Sequence, residues 1–321
     1  MSTEAFERLY EQLQKLYYKE DYETALKLAS ESRSRFPEQR AALDYWRMTM
    51  AARLGKAKLA KQILREAIEQ GEWYSELLLR RSPSFRSLQD DPEFESLVSR
   101  NQEIAEKDHN TNYPLYTLRP EKRCQSGGTP CPLLLGLHGN ATTAQSSIAF
   151  WAPAATAGWL VAAPQSSQAI WKDAYVWDDR QNAGAEIQRH YQSILDRYAI
   201  DVKRTVIAGH STGGELAIWL ALNRSFKVRG FLAISPETTF LTDPDEWRPL
   251  LDQEASAGLR GCILIGEKDT SINIESIQIF IAQLEQANIP CRLEVIPLAG
   301  RHYDPVYDSA VLSALAFITA E

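Results

Sequence analysis

The chain has 321 residues, of which 44% are hydrophobic, and its formal net charge is −7. This excess of acidic residues argues against a surface for nucleic acid or for an anionic membrane, because both bind clustered Lys and Arg. We therefore expect small-molecule partners. The length allows a medium-sized domain together with a small one.

The sequence carries no signal for export or membrane insertion. Its first residues, MSTEAFERLY, lack the apolar core of a signal peptide. A run of about 18 apolar residues, the length that spans a bilayer, does not occur elsewhere in the sequence. We expect a soluble, cytoplasmic protein that binds neither membranes nor nucleic acid.

Apolar residues near the beginning of the chain recur at helical spacing. A stripe starts at Phe6, and Asp21 stands where a helix N-cap belongs before a second run. Gly55 separates two further helical runs, about 38–54 and 56–70. The pattern predicts four helices in succession.

Two of these runs are similar to each other. DYETALKLA and KAKLAKQIL superpose Ala25 on Ala60, an offset of 35 residues. The segment resembles a short tetratricopeptide-like array, whose period is about 34 residues. Ser or Asp before Pro in SPSFRSL and DDPEFESL predicts two more short helices, so we expect a helical module over residues 1–105. Its helices are candidates for a lid, a homo-oligomer contact or a partner-binding surface.

The pattern changes after about residue 110 to strand-like runs that alternate with helical segments. The runs are LYTL, PLLLGLHG, WLVAAP, TVIAG, FLAIS, CILIGE and RLEVIPL. Such alternation is typical of a mainly parallel sheet with helices on both faces, and it predicts an α/β domain over residues 106–321. A hairpin-like pair around Cys124 and Cys131 is the one antiparallel join predicted, because its connection is too short for a crossover helix.

The cysteines are predicted to be structural. Cys124, Cys131, Cys262 and Cys291 lack the spacing of a zinc site, and the last two lie in apolar strand-like runs. Cys124 and Cys131 flank a Gly-Gly turn, but a reducing cytosol favours free thiols over a disulfide. We expect neither a metal nor another cofactor.

Polar residues follow four of the predicted strands, at the edge where sites form in a parallel sheet. His138 and Asn140 follow PLLLGL, Ser211 follows TVIAG, Asp269 follows CILIGE and His302 follows RLEVIPL. Ser211 also lies in the pattern GxSxG, between a strand and a helical run. The order of the chain is therefore Ser, Asp, His.

PLLLGLHGN, WLVAAPQSSQ, GHSTGG, ILIGEKD and AGRHYD together resemble the α/β-hydrolase superfamily, closest to predicted esterases of the carboxylesterase, phospholipase and acyl-thioesterase type. The resemblance covers residues 112–318. It implies that Ser211 is the nucleophile, that Asp269 is the acid and that His302 is the base. These types suit the chemistry, because a serine hydroxyl needs an imidazole to take its proton and a carboxylate to orient that imidazole.

The resemblance also implies an oxyanion hole made of backbone N–H groups. One donor is Thr212, which follows the nucleophile. The other is Asn140, with Gly139 as the alternative. Gly209 and Gly213 fit the sharp turn that exposes the nucleophile, because a side chain at either position has almost no room.

Simpler interpretations stay open beside these. Ser211 also suits a helix N-cap. Asp243 or Asp245, after the preceding strand, are alternatives for the acid, and His190 or His109 for the base.

Aromatic and histidine side chains near the predicted site have two interpretations. Trp171 and Trp177 either belong to the core or line an acyl pocket. His138 and His210 are expected to be structural, because neither has a metal-binding partner four residues further on.

The interval PETTFLTDPDEWRPLLDQEASAGLRG holds about one helix and a loop, so we expect no large lid. The sequence thus predicts a serine ester hydrolase for small, short-chain esters. Alternatives are a thioesterase or peptidase with the same triad, or an interaction protein that uses the hydrolase fold as a scaffold.

Overall fold

The chain folds into two compact units. A computed structural model describes residues 3–108, 113–120, 124, 128–238, 240–251, 258–301 and 304–320. Unit 1 consists of Met1–Thr111 and Ala169–Asp173, and unit 2 consists of Asn112–Gln168 and Ala174–Glu321.

Unit 1 is helical, as predicted. Its α-helices are α1 (Thr3–Tyr18), α2 (Tyr22–Ser32), α3 (Arg40–Arg53), α4 (Ala57–Glu69) and α5 (Pro92–Asp108). Shorter helical turns occur at Pro37–Gln39, Leu77–Arg81 and Pro83–Leu88. Each α-helix packs against the next along the chain from α1 to α4, and α4 packs against α5.

The local signals in the sequence of unit 1 correspond to the observed helix ends. The Asp21 carboxylate accepts a hydrogen bond from the Thr24 N–H at 3.2 Å, so the predicted N-cap of α2 is confirmed. Gly55 has a φ of +69°, a left-handed conformation that suits the turn between α3 and α4. Leu13, Ala25 and Leu43 are fully buried between the first helices.

The limits of the helical unit differ from the prediction. The expected boundary at residue 105 falls inside α5, a helix of 17 residues that continues to Asp108. Unit 1 also takes in Ala169–Asp173, the tip of a hairpin from the middle of the chain. Pattern alone does not show this, because the hairpin is more than 50 residues away along the chain.

A buried carboxylate links helices α2 and α3. The side chain of Asp44 is 1% exposed and accepts hydrogen bonds from Arg33 Nε at 2.8 Å and from Arg47 Nη1 at 2.6 Å. Arg33 Nη2 also bonds the second carboxylate oxygen at 3.0 Å. One buried carboxylate therefore forms ion pairs with both arginines.

Unit 2 contains the predicted sheet of seven strands. Its strands are β1 (Leu115–Leu118), β2 (Cys131–Leu137), β3 (Leu160–Pro164), β6 (Ile200–His210), β7 (Gly230–Ile234), β8 (Arg260–Gly266) and β9 (Cys291–Ile296). The strand order is β1-β3-β2-β6-β7-β8-β9. A separate hairpin consists of β4 (Gln168–Trp171) and β5 (Ala174–Val176).

The antiparallel join of the sheet lies elsewhere than predicted. β1 pairs antiparallel with β3, with Leu115 opposite Pro164 and Leu118 opposite Val161. The pairing across Cys124 and Cys131 is therefore wrong, because β2 lies between β3 and β6 and is parallel to both.

The prediction of free thiols at Cys124 and Cys131 is also wrong, because the two residues form a disulfide. Their Cα atoms lie 5.3 Å apart, which is a normal disulfide separation. Cys262 and Cys291 are buried free thiols, as predicted. Burial raises the pKa of the Cys262 thiol to about 12.

Helices cover both faces of the sheet. The helices of unit 2 are α6 (Ala144–Ser147), α7 (Ala152–Thr156), α8 (Arg180–Arg197), α9 (Thr212–Leu222), α10 (Pro244–Leu251), α11 (Ile274–Gln286) and α12 (Asp308–Thr319). Alternate residues of β2 point to opposite faces: Leu133 and Leu135 pack with α8, α9 and α11, whereas Leu134 packs with α7 and α12. Two buried cores, one on each face, hold the sheet.

Across the described ranges, none of the helices combines the length and the apolar character needed to cross a bilayer.

We expect Asp44→Asn to lower the free energy of unfolding by about 2 kcal/mol, because the two arginines lose the negative charge and one of the two oxygen acceptors of this buried group. Urea unfolding measures the change. Glu31→Gln is the matched control, since Glu31 makes only an exposed ion pair with Lys27 at 3.9 Å. Equal effects of the two substitutions would contradict the importance of the buried carboxylate.

Candidate functional site

Ser211 occupies a strained turn between a strand and a helix. It follows the last residue of β6 and precedes α9, with φ +54° and ψ −123°. Its N–H donates to the carbonyl of Ile234 on the neighbouring strand at 3.0 Å. Its own carbonyl accepts from Gly214 N–H at 3.0 Å and Glu237 N–H at 3.1 Å. These backbone hydrogen bonds therefore hold Ser211 in a conformation that residues other than glycine rarely adopt.

The serine side chain does not cap the helix. Ser211 stands at the N-cap position of α9, but its hydroxyl makes no capping hydrogen bond there. The hydroxyl oxygen instead accepts a hydrogen bond from Arg301 Nη2 at 2.9 Å. Ser211 therefore occupies the N-cap position of α9 without capping the helix through its side chain.

Two glycines allow the turn because the chain passes close to itself. A Cβ atom at Gly209 would lie closer than 3.0 Å to the backbone of Gly213 and Gly214. A Cβ atom at Gly213 would lie closer than 3.0 Å to the carbonyl oxygens of Leu137 and His138. The end of β2 is thus packed directly against the first turn of α9.

The loop after β2 reaches the serine. A Cβ atom added at Gly139 would lie 3.6 Å from Ser211 Cβ. Asn140 follows in the chain and is exposed. Thr212 is the first residue of α9, where an N–H group has no acceptor within the helix. The loop and the helix N-terminus therefore flank the same hydroxyl.

Buried hydrogen bonds hold this loop. His138 Nδ1 donates to the Gly139 carbonyl at 2.8 Å, and Nε2 accepts from the Ser166 N–H at 3.3 Å. Both partners are fixed backbone groups, so they set the tautomer with the proton on Nδ1. Burial of the ring lowers the pKa of His138 to about 4 and keeps it neutral.

The two tryptophans have structural contacts. Trp177 is buried, donates from Nε1 to the His138 carbonyl at 2.9 Å, and stacks on the His138 ring with centroids 4.7 Å apart. Trp171 belongs to unit 1, where its ring packs against Tyr45 and Tyr74 at 6.0 and 6.3 Å. These contacts favour the core interpretation of both side chains.

Asp269 presents one unused acceptor in a buried position. It follows β8 and is 8% exposed. Oδ1 accepts from the N–H of Ser271 at 3.0 Å and from its hydroxyl at 2.5 Å. Oδ2 is buried and has no hydrogen-bond partner among the residues that the structure describes. A buried carboxylate oxygen is costly without a donor, so this atom is suited to receive one.

The alternative acids lie on the surface. Asp243 and Asp245 are exposed at the beginning of α10, and Asp243 accepts from the Asp245 N–H at 3.0 Å. Of the alternative bases, His190 lies within α8, whereas His109 lies outside the described residues. His302, the predicted base, also lies outside the described residues.

Arg301 was not predicted from the sequence, yet its side chain contacts the serine. Nη2 donates to Ser211 Oγ at 2.9 Å and to Glu237 Oε2 at 3.1 Å, and Nη1 donates to Ser271 Oγ. Through Ser271 the guanidinium is connected to Asp269. The only sequence signal was a cation beside the predicted base in AGRHYD.

The backbone of Arg301 is anchored as well. His210 Nε2 donates to the Arg301 carbonyl at 2.7 Å, a contact that fits the structural role expected of His210. The Tyr307 hydroxyl donates to the preceding carbonyl, that of Gly300, at 2.7 Å. The loop after β9 is therefore tied to the end of β6.

The helical segment matches a known family. Residues 5–109 match the family model described as the A/B hydrolase-like, N-terminal domain. The resemblance of this segment to tetratricopeptide repeats stays a prediction. No curated protein matches the chain.

Several solved structures are similar to the chain. An uncharacterized protein from Bacillus cereus ATCC 10987 is 24% identical, with 97% of each chain covered and a TM-score of 0.52. Esterase PE8 is 14% identical, with 65% of this chain and 100% of that chain covered and a TM-score of 0.52. An S-formylglutathione hydrolase from Agrobacterium tumefaciens is 15% identical, with 65% and 90% covered and a TM-score of 0.50. Unit 2 thus has the α/β-hydrolase fold, preceded in the chain by a helical N-terminal region.

We expect Gly209→Ala to lower the free energy of unfolding by about 1–3 kcal/mol, because the added methyl group clashes with the backbone of the next turn. Gly300→Ala is the matched control, since a Cβ atom there meets nothing within 4 Å. Thermal unfolding of both variants measures the difference. A Gly209→Ala protein as stable as the control would show that the turn tolerates a side chain.

The pKa of His138 predicts a pH-dependent stability. In the unfolded chain the ring takes up a proton near pH 6.5, whereas the folded protein resists protonation down to about pH 4. The contribution of His138 to the free energy of unfolding is therefore complete above pH 6.5. It decreases by about 3 kcal/mol as the pH falls towards 4.

The measurement is the free energy of unfolding of the wild type and of His138→Gln between pH 4 and 7. We expect the difference between the two proteins to shrink as the pH falls, because Gln does not titrate. A constant difference over this range would contradict a buried neutral histidine.

Proposed function

We propose that the protein is a serine hydrolase that cleaves small, short-chain carboxylic esters through an acyl-enzyme. The observation that carries the proposal is the strained backbone of Ser211, held between β6 and α9 with glycines on both sides. In an α/β-hydrolase fold this turn presents a nucleophile at the carboxyl edge of the sheet. The fold is shared with esterase PE8 and with an S-formylglutathione hydrolase.

In the proposed reaction, Ser211 Oγ forms a bond to the ester carbonyl carbon while His302 takes the hydroxyl proton. The C–O bond to the alcohol then breaks, and the alcohol leaves with that proton. Water next attacks the acyl group, giving its proton to His302, and the carboxylic acid departs as the serine regains a proton.

Asp269 is proposed to orient the base. Its buried Oδ2 supports this role, because this oxygen has no donor within the described part of the chain and an imidazole N–H is a donor of the type it needs. His302 directly follows Arg301, whose side chain and carbonyl contact Ser211 and His210. These contacts support His302 as the partner of the nucleophile.

The oxyanion of each tetrahedral intermediate requires donors that are already in position. We propose the N–H groups of Thr212 and Asn140, with Gly139 as the alternative to Asn140. The position of Thr212 at the N-terminus of α9, where an N–H has no acceptor within the helix, and the hydrogen bonds of His138 within the loop support this arrangement. Loss of one such donor costs about 3 kcal/mol of barrier.

The segment between β7 and β8 supports a preference for small substrates. Its described part contains one α-helix, α10 (Pro244–Leu251). A thioester is a close variant of the substrate, which the name of the similar S-formylglutathione hydrolase favours. The same acyl-enzyme route would apply, with a thiol as the leaving group.

We expect the wild type to hydrolyse p-nitrophenyl acetate and butyrate faster than the palmitate ester. Ser211→Ala should lower kcat/KM by at least about 10³-fold, because no nucleophile remains. Ser99→Ala, an exposed serine on α5, is the matched control and should leave the rate unchanged. Equal rates in Ser211→Ala and the wild type would overturn the proposed nucleophile, and faster turnover of palmitate would overturn the chain-length preference.

A further inference from the structure

The Arg301 guanidinium places a permanent positive charge beside the proposed nucleophile. Arginine stays protonated at all physiological pH values. Its side chain is 14% exposed, and Nη2 lies 2.9 Å from Ser211 Oγ. The charge is thus directed at the point where an acyl group would be attached.

The acidic partner of this arginine lies further towards solvent. Glu237 is bonded to Nη2 at 3.1 Å, but its side chain is 41% exposed. An ion pair with a solvent-exposed partner is weakened by competition with water. Glu237 therefore positions the guanidinium without occupying all of its N–H donors.

The guanidinium retains hydrogen-bonding capacity. Of its five N–H donors, three are directed at Ser271, Ser211 and Glu237. The Nε donor and the second Nη1 donor have no partner among the residues that the structure describes. Either free donor can bind a carboxylate oxygen, and the positive charge of the guanidinium favours such an acceptor.

We propose that Arg301 selects esters whose acyl group carries a free carboxylate, namely monoesters of short dicarboxylic acids. This inference rests on the proposed ester hydrolysis at Ser211. The acyl carbon bonds to the same oxygen that Arg301 already contacts. A carboxylate separated from the acyl carbon by two methylene groups therefore comes within reach of the guanidinium, whereas an uncharged acyl chain makes no such contact.

The test compares monoethyl succinate with ethyl butyrate, two four-carbon acyl groups with the same leaving group. Product acid is titrated at constant pH to obtain kcat and KM for the wild type, Arg301→Met, Arg301→Lys and Glu237→Gln. The readout is the ratio of kcat/KM for succinate to that for butyrate, in which the general loss of activity in any variant cancels.

We expect Arg301→Met to lower this ratio by about 10- to 100-fold, the value of a charge-assisted hydrogen bond, mainly through KM for the succinate ester. The ratio for Arg301→Lys should lie between those of the wild type and Arg301→Met, because lysine keeps the charge but lacks the Nε–H and Nη1–H donors. Glu237→Gln should raise the ratio, since it removes the competing carboxylate. Glu237→Gln also retains the arginine, so it tests the inference even if substitution of Arg301 prevents folding.

Calorimetric binding of succinate, with butyramide as the neutral comparison, provides a readout without turnover. Hydrolysis of ethyl butyrate by the wild type with an unchanged ratio in Arg301→Met and Glu237→Gln would overturn the inference and leave the proposed function intact. Succinate binding that requires Arg301, without hydrolysis of either ester, would contradict the proposed function and support carboxylate recognition. Absence of both succinate binding and ester hydrolysis would overturn the inference and the proposed function together.

Discussion

The site depends on one backbone constraint, the left-handed conformation of Ser211. A side chain at this φ costs on the order of 1–3 kcal/mol, so the surrounding structure must enforce it. Backbone hydrogen bonds from Ser211 N–H to β7 and from Gly214 and Glu237 to its carbonyl supply that enforcement. The close approach of β2 to α9 excludes a side chain at Gly213, and the first turn of α9 excludes one at Gly209. The packing of the sheet against α9 thereby fixes the position of the Ser211 hydroxyl.

Much of the fold could be predicted because each buried element has a regular local pattern. All seven strand-like runs form strands of one sheet, and Gly55 and Asp21 mark helix ends. Pairing at the sheet edge could not be predicted, since β1 joins β3 through contacts distant in sequence. For the same reason the sequence does not predict that Ala169–Asp173 belongs to unit 1, where Trp171 packs against aromatic residues.

The candidate site was predictable to the extent that its residues follow strands. Ser211 and Asp269 follow β6 and β8, where the parallel topology directs residues to a common edge. Arg301 was missed because a lone arginine in a loop has no diagnostic spacing, and its contact with Ser211 depends on tertiary anchoring by His210 and Tyr307. The interactions of a flexible, charged side chain emerge only from the folded structure.

The central claim, that Ser211 is the nucleophile of a serine hydrolase, is tested most directly by covalent labelling. The native protein is treated with an alkyl fluorophosphonate, which transfers a phosphonyl group to an activated serine with loss of fluoride. Peptide mass mapping then locates the adduct. We expect one phosphonyl group per chain, located on Ser211, with no labelling of Ser211→Ala. An unmodified Ser211 in the folded wild type, or a label at the same level in both proteins, would contradict the account.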